Sequence, residues 1–399
     1  MSGFDRARLQ RIGDAMARHT ADGGDTGGVA WLAARDTDIA AGVSGVLTRG
    51  EAEPVRRDSL FRIASMTKPI AAVATLILIE ECRIRLEDPV DDLLPELAGR
   101  RVLVDGRGPI DGETVPANRP INVADLLTFQ LGWGLDFEAP WPQPLFEAMA
   151  DLGLGSGPPE PQVPPEPDEW IRRIAGLPLL YQPGERWLYN TGSDVLGVLV
   201  ARAAGQPLEA FLGERVFGPL GMVDTGFSTP HLDRLGTTYA LNPETGQRVV
   251  YDPPGGQWSK PPAFPSGGGG LVSTLDDYFR FGRMLLMGGR LPDGSRLLSR
   301  PSVEAMTTDQ IGAAPGVCGP SLDGSAGWGY GVGVQVRRTA PTAPVGSYGW
   351  TGGLGSAWAN DPSERVIGVV LTTDMFTGAF PTPAVIRDFW TGVYAALGD

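Results

Sequence analysis

Ser65-Met66-Thr67-Lys68, followed by Pro69-Ile70-Ala71-Ala72-Val73-Ala74-Thr75-Leu76-Ile77-Leu78-Ile79, decides how the chain is read. The apolar run is too long for a typical strand and rich in helix formers, so it predicts a buried helix closed by Glu80-Glu81. Pro69 suits the first turn, where backbone N–H groups have no intrahelical acceptor. Ser65 then stands at or just before the helix N-terminus. Lys68, three residues on, lies on the same face. A hydroxyl beside an amine at the positive end of a helix is an activated-nucleophile pattern. The same four residues also describe a capped helix with a solvated lysine. Other stretches must choose between the two.

The 399 residues suffice for two domains, or for one large domain with an insertion. A hydrophobic fraction of 42% and a charged fraction of 20% suit a soluble globular protein. The formal charge of −14, from 33 Lys+Arg against 47 Asp+Glu, argues against a nucleic-acid partner, since no basic stripe could neutralise phosphates. Near the N-terminus, Phe4, Leu9, Ile12, Ala15 and Met16 suit an amphipathic helix rather than a signal peptide. No apolar stretch of about 18 residues occurs, so no membrane span is expected. Cys82 and Cys318 are far apart, and a reduced, cytoplasmic protein is the simplest expectation. Oligomeric state is not legible. The chain has only two histidines, His19 and His231, and no Gly-x-Ser-x-Gly. A Ser-His-Asp triad is therefore poorly served, a zinc site equally so, and neither metal nor cofactor is expected.

Gly28–Ala34 and Asp38–Val43 read as two strands around a polar turn. Asn122 and Asp125 have capping-box spacing. Gly153 to Asp168, with six prolines from Pro158 to Pro167, excludes regular structure and suits a lid or substrate-facing loop as well as an ordered surface loop. Helices are expected over Ser193–Ala204 and over Leu208–Phe217, the second ended by Gly218-Pro219. Gly267 to Gly270 lacks the setting of a phosphate loop and reads as close backbone packing beside the site, before a helix from Asp276 to Met287 capped by Thr274. Strands return at Trp328–Val336, Ser356–Ala359 and Arg365–Leu371, followed by a helix presenting Val385, Ile386, Phe389, Trp390, Val393 and Leu397. The fold class expected is α+β. An antiparallel sheet flanked by helices is built from residues 1–85 and 266–399, and a mainly helical domain, 86–265, is inserted between them.

Two further stretches carry chemistry: Tyr181-Gln182-Pro183-Gly184-Glu185-Arg186-Trp187-Leu188-Tyr189-Asn190-Thr191-Gly192-Ser193-Asp194-Val195-Leu196-Gly197, and Gly349-Trp350-Thr351-Gly352-Gly353-Leu354-Gly355. With Ser65-x-x-Lys68 they resemble, in order and rough spacing, the three motifs of the serine β-lactamase superfamily. The resemblance is closest to class C β-lactamases and family VIII carboxylesterases, and it covers almost the whole chain. It implies a β-lactamase/transpeptidase-like fold and a set of roles. Ser65 would be the acylated nucleophile, and Lys68 and Tyr189 would share the work of general base and acid. The backbone N–H groups of Ser65 and Gly353 would form the oxyanion hole.

The departures from the family pattern matter too. Thr191 stands where class C enzymes carry Asn. Aligning Asn190 there instead would put Leu188 in place of the tyrosine, so Tyr189 is kept. Trp350 replaces the lysine of the third motif. Its indole offers apolar area and no charge, which favours a neutral ester over an anionic lactam. Trp350, Thr351, Gly352 and Thr191 are candidate substrate contacts. Trp133 and Phe137 are candidates for an apolar acyl pocket, or else for the core of the helical domain. The expectation is a serine hydrolase acting on a small-molecule carboxylic ester through an acyl-enzyme. Its rivals are a β-lactamase, a D-amino-acid peptidase or acyltransferase of the same superfamily, and a catalytically silent penicillin-recognising module.

Overall fold

The computed structural model describes residues 3–155, 157–312, 319–321, 323–342, 344–376 and 382–398; Cys318 lies outside them. The chain opens with α1 (Arg6–Thr20) and the hairpin β1 (Gly28–Arg35) and β2 (Asp38–Gly45). Then come β3 (Phe61–Arg62), a 3₁₀ turn over Ala64–Met66, and α2 (Thr67–Glu80). Residues 86–265 hold β4 (Arg101–Leu103), β5 (Thr114–Pro116), α3 (Val123–Leu127), α4 (Pro144–Asp151), α5 (Pro167–Ile174), α6 (Thr191–Ala204), α7 (Leu208–Leu212), α8 (Gly218–Leu220), β6 (Thr238–Leu241) and β7 (Arg248–Asp252). The chain closes with β8 (Val272–Ser273), α9 (Leu275–Leu286), α10 (Arg300–Met306), β9 (Ala326–Trp328), β10 (Gly333–Gln335), β11 (Tyr348–Gly352), β12 (Ser356–Asp361), β13 (Val366–Thr372) and α11 (Ala384–Ala395).

A seven-stranded antiparallel sheet, in the order β2-β1-β13-β12-β11-β10-β9, joins the two ends of the chain. Its side chains alternate as the pleat requires. Val29, Trp31 and Ala33 with Val366 and Val370 pack against α1 and α11, while Ala30, Leu32 and Ala34 with Ile367, Val369 and Leu371 face the larger core. That larger cluster continues without a break through α2 and α6 into the region after residue 86. The architecture is the α+β arrangement expected from the sequence.

Every residue of α2 from Thr67 to Leu78 is buried, so the helix is apolar on all sides because it is enclosed on all sides. Asn122 and Asp125 form the expected capping box, and Thr274 caps α9. Two expectations are corrected. Trp328–Val336 is not one strand: it breaks into β9 and β10, which pair with each other. Gly331 turns the chain with φ 74°, where a Cβ would meet Ala72 Cβ at 2.7 Å. Gly218-Pro219 does not end the helix from Leu208. A π turn over Gly213–Phe217 carries the chain into α8, whose first turn tolerates Pro219, and the stop comes at Gly221 with φ 65°.

Among the described residues no single helix is long and apolar enough to cross a membrane. The bent pair Thr191–Ala204 and Leu208–Leu220 passes on length and composition, but most of its residues are buried in the core.

Candidate active site

Phe61-Arg62 pairs with Val272-Ser273, and the chain then turns through Ile63 and Ala64 into the 3₁₀ turn that carries Ser65. Arg62 is buried. It is held by Asp252, the Gly236 and Pro253 carbonyls and the Thr238 hydroxyl, so the segment entering the turn is anchored on several sides. Ala64 adopts φ 43°, a left-handed conformation that a residue with a Cβ rarely takes. Lys68, in the first turn of α2, is fully buried.

Lys68 Nζ lies 3.0 Å from Ser65 Oγ, 2.6 Å from Asn190 Oδ1 and 2.6 Å from the Gly268 carbonyl oxygen. Two of these partners can only accept hydrogen bonds; the serine hydroxyl can also donate. A neutral amine would therefore give its two N–H groups to the carbonyls and turn its lone pair towards the Ser65 O–H. Burial pushes the Lys68 amine down to about 7, against the opposing effect of the Asp194 charge.

Tyr189 stands beside Ser65 on the cavity wall, and its hydroxyl accepts from the Trp350 indole N–H at 2.8 Å. Its ring sits in an aromatic cage, with centroids of Phe129, Phe137, Trp187 and Trp350 at 5.8, 5.3, 5.8 and 5.6 Å. Desolvation by these neighbours pushes the phenol up to about 12, outweighing the hydrogen bonds that favour phenolate. Lys68 and Tyr189, beside Ser65 in the site, thus have their proton affinities moved in opposite directions by the same burial.

Ser65, Tyr189, Asn190, Trp350, Thr351 and Gly353 border a cavity of about 570 Å³. Leu135, Phe137, Trp141, Phe146 and Leu154 form one part of its wall, and Pro158, Pro159, Pro161 and Pro164 of the proline-rich loop form another. That loop is tied down: Tyr251 Oη donates to the Pro159 carbonyl at 2.8 Å, and the Gln162 amide donates to the carbonyls of Gln257 and Lys260. The charged side chains on the wall are the carboxylates Glu160 and Asp194; among the described lining residues there is no arginine or lysine. Neither histidine is there. His19 bridges Asp25 and Asp388, and His231 is exposed. Among the described residues no group of three or more His, Cys, Asp or Glu gathers as a metal ion would require.

The structure therefore brings together Ser65, Lys68, Tyr189, Gly353, Trp350, Thr351 and Phe137. Three other candidates lie elsewhere. Trp133 is buried in the core, its indole donating to the Pro178 carbonyl at 2.6 Å and its face covered by Arg100. Gly352 does not line the cavity. A Cβ there would meet the Ile63 carbonyl at 2.1 Å and Ser356 Oγ at 2.3 Å, so glycine lets β11 approach the segment before Ser65. Thr191 is buried as the first residue of α6 and does not reach the cavity. Asn190 reaches Lys68 instead, because its φ of 85° turns its side chain back to the amine. Asp194 and Ser266 also belong to the site. Ser266 Oγ donates to Asp194 Oδ1 at 2.6 Å beneath the glycine run. The sequence signal for them was slight: a polar pair flanking Gly267–Gly270 and the first turn of α6.

A family model described as Beta-lactamase matches residues 14–388. Protein Rv1367c of Mycobacterium tuberculosis is 40% identical over 326 residues, which cover 79% of this chain and 77% of that protein. Esterase EstB of Burkholderia gladioli is 31% identical over 414 residues, covering 98% of this chain and 95% of its own. The solved structure of EstCE1, described as a hydrolase with promiscuous acyltransferase activity, has a TM-score of 0.79 at 24% identity and covers 97% of this chain and 99% of its own. At that identity the likeness is one of fold.

Proposed function

The chain belongs to the β-lactamase family, whose members are serine hydrolases and acyltransferases, and from that premise we propose that it cleaves uncharged carboxylic esters through an acyl-enzyme on Ser65. The observation that carries the choice of ester is the charge of the cavity. Ser65, Asn190 and Gly268, which hold Lys68, are internal, Trp350 stands at the lysine position of the third motif, and among the described residues the charged side chains of the wall are carboxylates. An anionic substrate would be desolvated there with no cation to meet it.

In this reading Lys68 is the base. Its amine takes the Ser65 proton as Oγ bonds to the ester carbonyl carbon. The developing oxyanion lies between the Ser65 and Gly353 N–H groups. Collapse breaks the bond to the alcohol oxygen, which leaves with a proton passed from Lys68 through the Tyr189 hydroxyl. Water then attacks the acyl carbon, gives its proton back along the same route, and frees Ser65. The opposed shifts of Lys68 and Tyr189 support this division into base and acid. An alcohol that displaced water would turn the same site into an acyltransferase.

Intact mass after a fluorophosphonate, and separately after a cephalosporin, tests the reading. A stoichiometric adduct with the first, lost in Ser65→Ala, together with hydrolysis of a neutral aryl ester, is expected. Faster turnover of the cephalosporin than of the ester would overturn it.

A further inference from the structure

Asp194 takes no direct part in the chemistry just described, yet it is built into the floor of the site. It stands in the first turn of α6, five positions after Tyr189. Its Oδ1 accepts from Ser266 Oγ at 2.6 Å and from the Gly268 N–H at 3.1 Å. Ser266 Oγ also accepts from the N–H groups of Gly268 and Gly269, at 3.2 and 3.0 Å. The Gly268 carbonyl accepts from Lys68. Side chains are excluded along this contact. A Cβ on Gly267 would meet the Ser193 carbonyl at 2.4 Å, and one on Gly268 would lie 3.0 Å from both Asp194 oxygens. The glycine run is thus seated on α6 by one carboxylate, and the carbonyl it presents holds the buried amine.

We propose that Asp194 is a positioning residue for acylation: through Ser266 and the Gly268 N–H it fixes the Gly268 carbonyl against Lys68, and so holds the amine beside Ser65. The proposal rests on Lys68 being the base for Ser65. The groups that face Lys68 are Ser65 from the preceding turn, Tyr189 and Asn190 from the segment before α6, Asp194 from α6, and Gly268 from the glycine run. Of these, Tyr189 and Asp194 titrate, and the Tyr189 phenol is held neutral. Burial pushes the Asp194 carboxyl up, opposed by the Ser266 hydroxyl, the Lys68 charge and the Gly268 N–H, and its ionised form is the charge that opposes the effect of burial on the lysine. A carboxylate that served only the α6 N-terminus would stabilise the helix and leave the titration of the serine–lysine pair alone.

The test follows the rate of Ser65 modification by a fluorophosphonate against pH, with folding checked by circular dichroism. Asp194→Asn keeps an acceptor for Ser266 and Gly268 but removes the charge, so the acid limb moves to lower pH by about one unit. Asp194→Ser, smaller and also neutral, moves it the same way and carries the test if the asparagine variant does not fold. Ser266→Ala keeps the carboxylate, with one hydrogen bond fewer to favour its ionised form, and loosens the glycine run, so the maximal rate falls severalfold while the limb moves less than in the neutral Asp194 variants. A wild-type maximal rate in Ser266→Ala, or a wild-type limb position in the neutral Asp194 variants, overturns the proposal alone. No modification of Ser65 in the wild type removes the premise, and the proposal with it.

Discussion

The Trp350 indole N–H donates to the Tyr189 hydroxyl across 2.8 Å. An indole nitrogen cannot accept, so the phenol must accept from it and keeps its own proton for another partner, with Ser65 beside it on the cavity wall. Trp350 therefore orients the Tyr189 hydroxyl, the group proposed as the acid, a contact that its apolar character in the sequence did not suggest. Trp350→Phe keeps much of the ring area and loses the donor. Ester kcat should fall about tenfold, the value of roughly one such hydrogen bond, with a smaller change in KM. Trp350→Lys should raise the ratio of cephalosporin to ester turnover; steady-state kinetics on both substrates checks each outcome.

With Lys68 pushed down to about 7, the amine proposed to accept the serine proton is charged below that pH and neutral above it. Ester kcat/KM should therefore rise with pH through about 7 and then level, activity being lost as pH falls. Tyr189, pushed up to about 12, stays a phenol across the assay range. Tyr189→Phe should cost on the order of 10² to 10⁴ in kcat by removing the proton donor. A pH–rate profile of both proteins checks this.

Asn190 and Thr191 are adjacent in the second motif, and only Asn190 touches Lys68. Asn190→Gly removes the amide and suits the φ of 85°, so the fold should survive while kcat falls at least about tenfold through loss of one Lys68 partner. Thr191→Val should leave kcat within about threefold, since the threonine hydroxyl is buried with no hydrogen-bond partner among the described residues. Parallel kinetics and thermal melts separate activity from folding.

Gly352 and Gly353 are equally plausible substrate-facing glycines from the motif, yet their surroundings differ. A Cβ at 352 would run into the Ile63 carbonyl, while one at 353 meets nothing within 4 Å. Gly352→Ala should destabilise by about 1–3 kcal/mol as β11 is forced away from the turn holding Ser65. Gly353→Ala should melt like the wild type. Urea unfolding of both variants checks the difference.

Much of this molecule was legible locally. The run after Lys68 had no polar face, and a helix with no polar face has to be enclosed, as α2 is. The hairpin of β1 and β2, the capping box at Asn122 and the strand Val366–Thr372 each follow from a period or a cap within a few residues. Trp133 and Phe137 show the limit. Both are aromatics four residues apart in one stretch, yet one is core and the other cavity wall. Gly134, at φ 144°, and the bridge from Leu135 to Tyr189 redirect the chain between them, and that redirection depends on a partner some fifty residues away.

By itself, then, the sequence determined the order of the motifs, the helix that begins beside Ser65, and the α+β class, because periodicity, capping and residue type are local properties of the chain. Tertiary structure alone decided that Lys68 is buried between two carbonyls and a hydroxyl, that Asn190 rather than Thr191 reaches it, and that Trp350 holds Tyr189. These depend on how α2, α6, the glycine run and β11 converge. The physical cause is desolvation: a lysine and a tyrosine acquire opposed proton affinities only where distant segments close over them and shut out water.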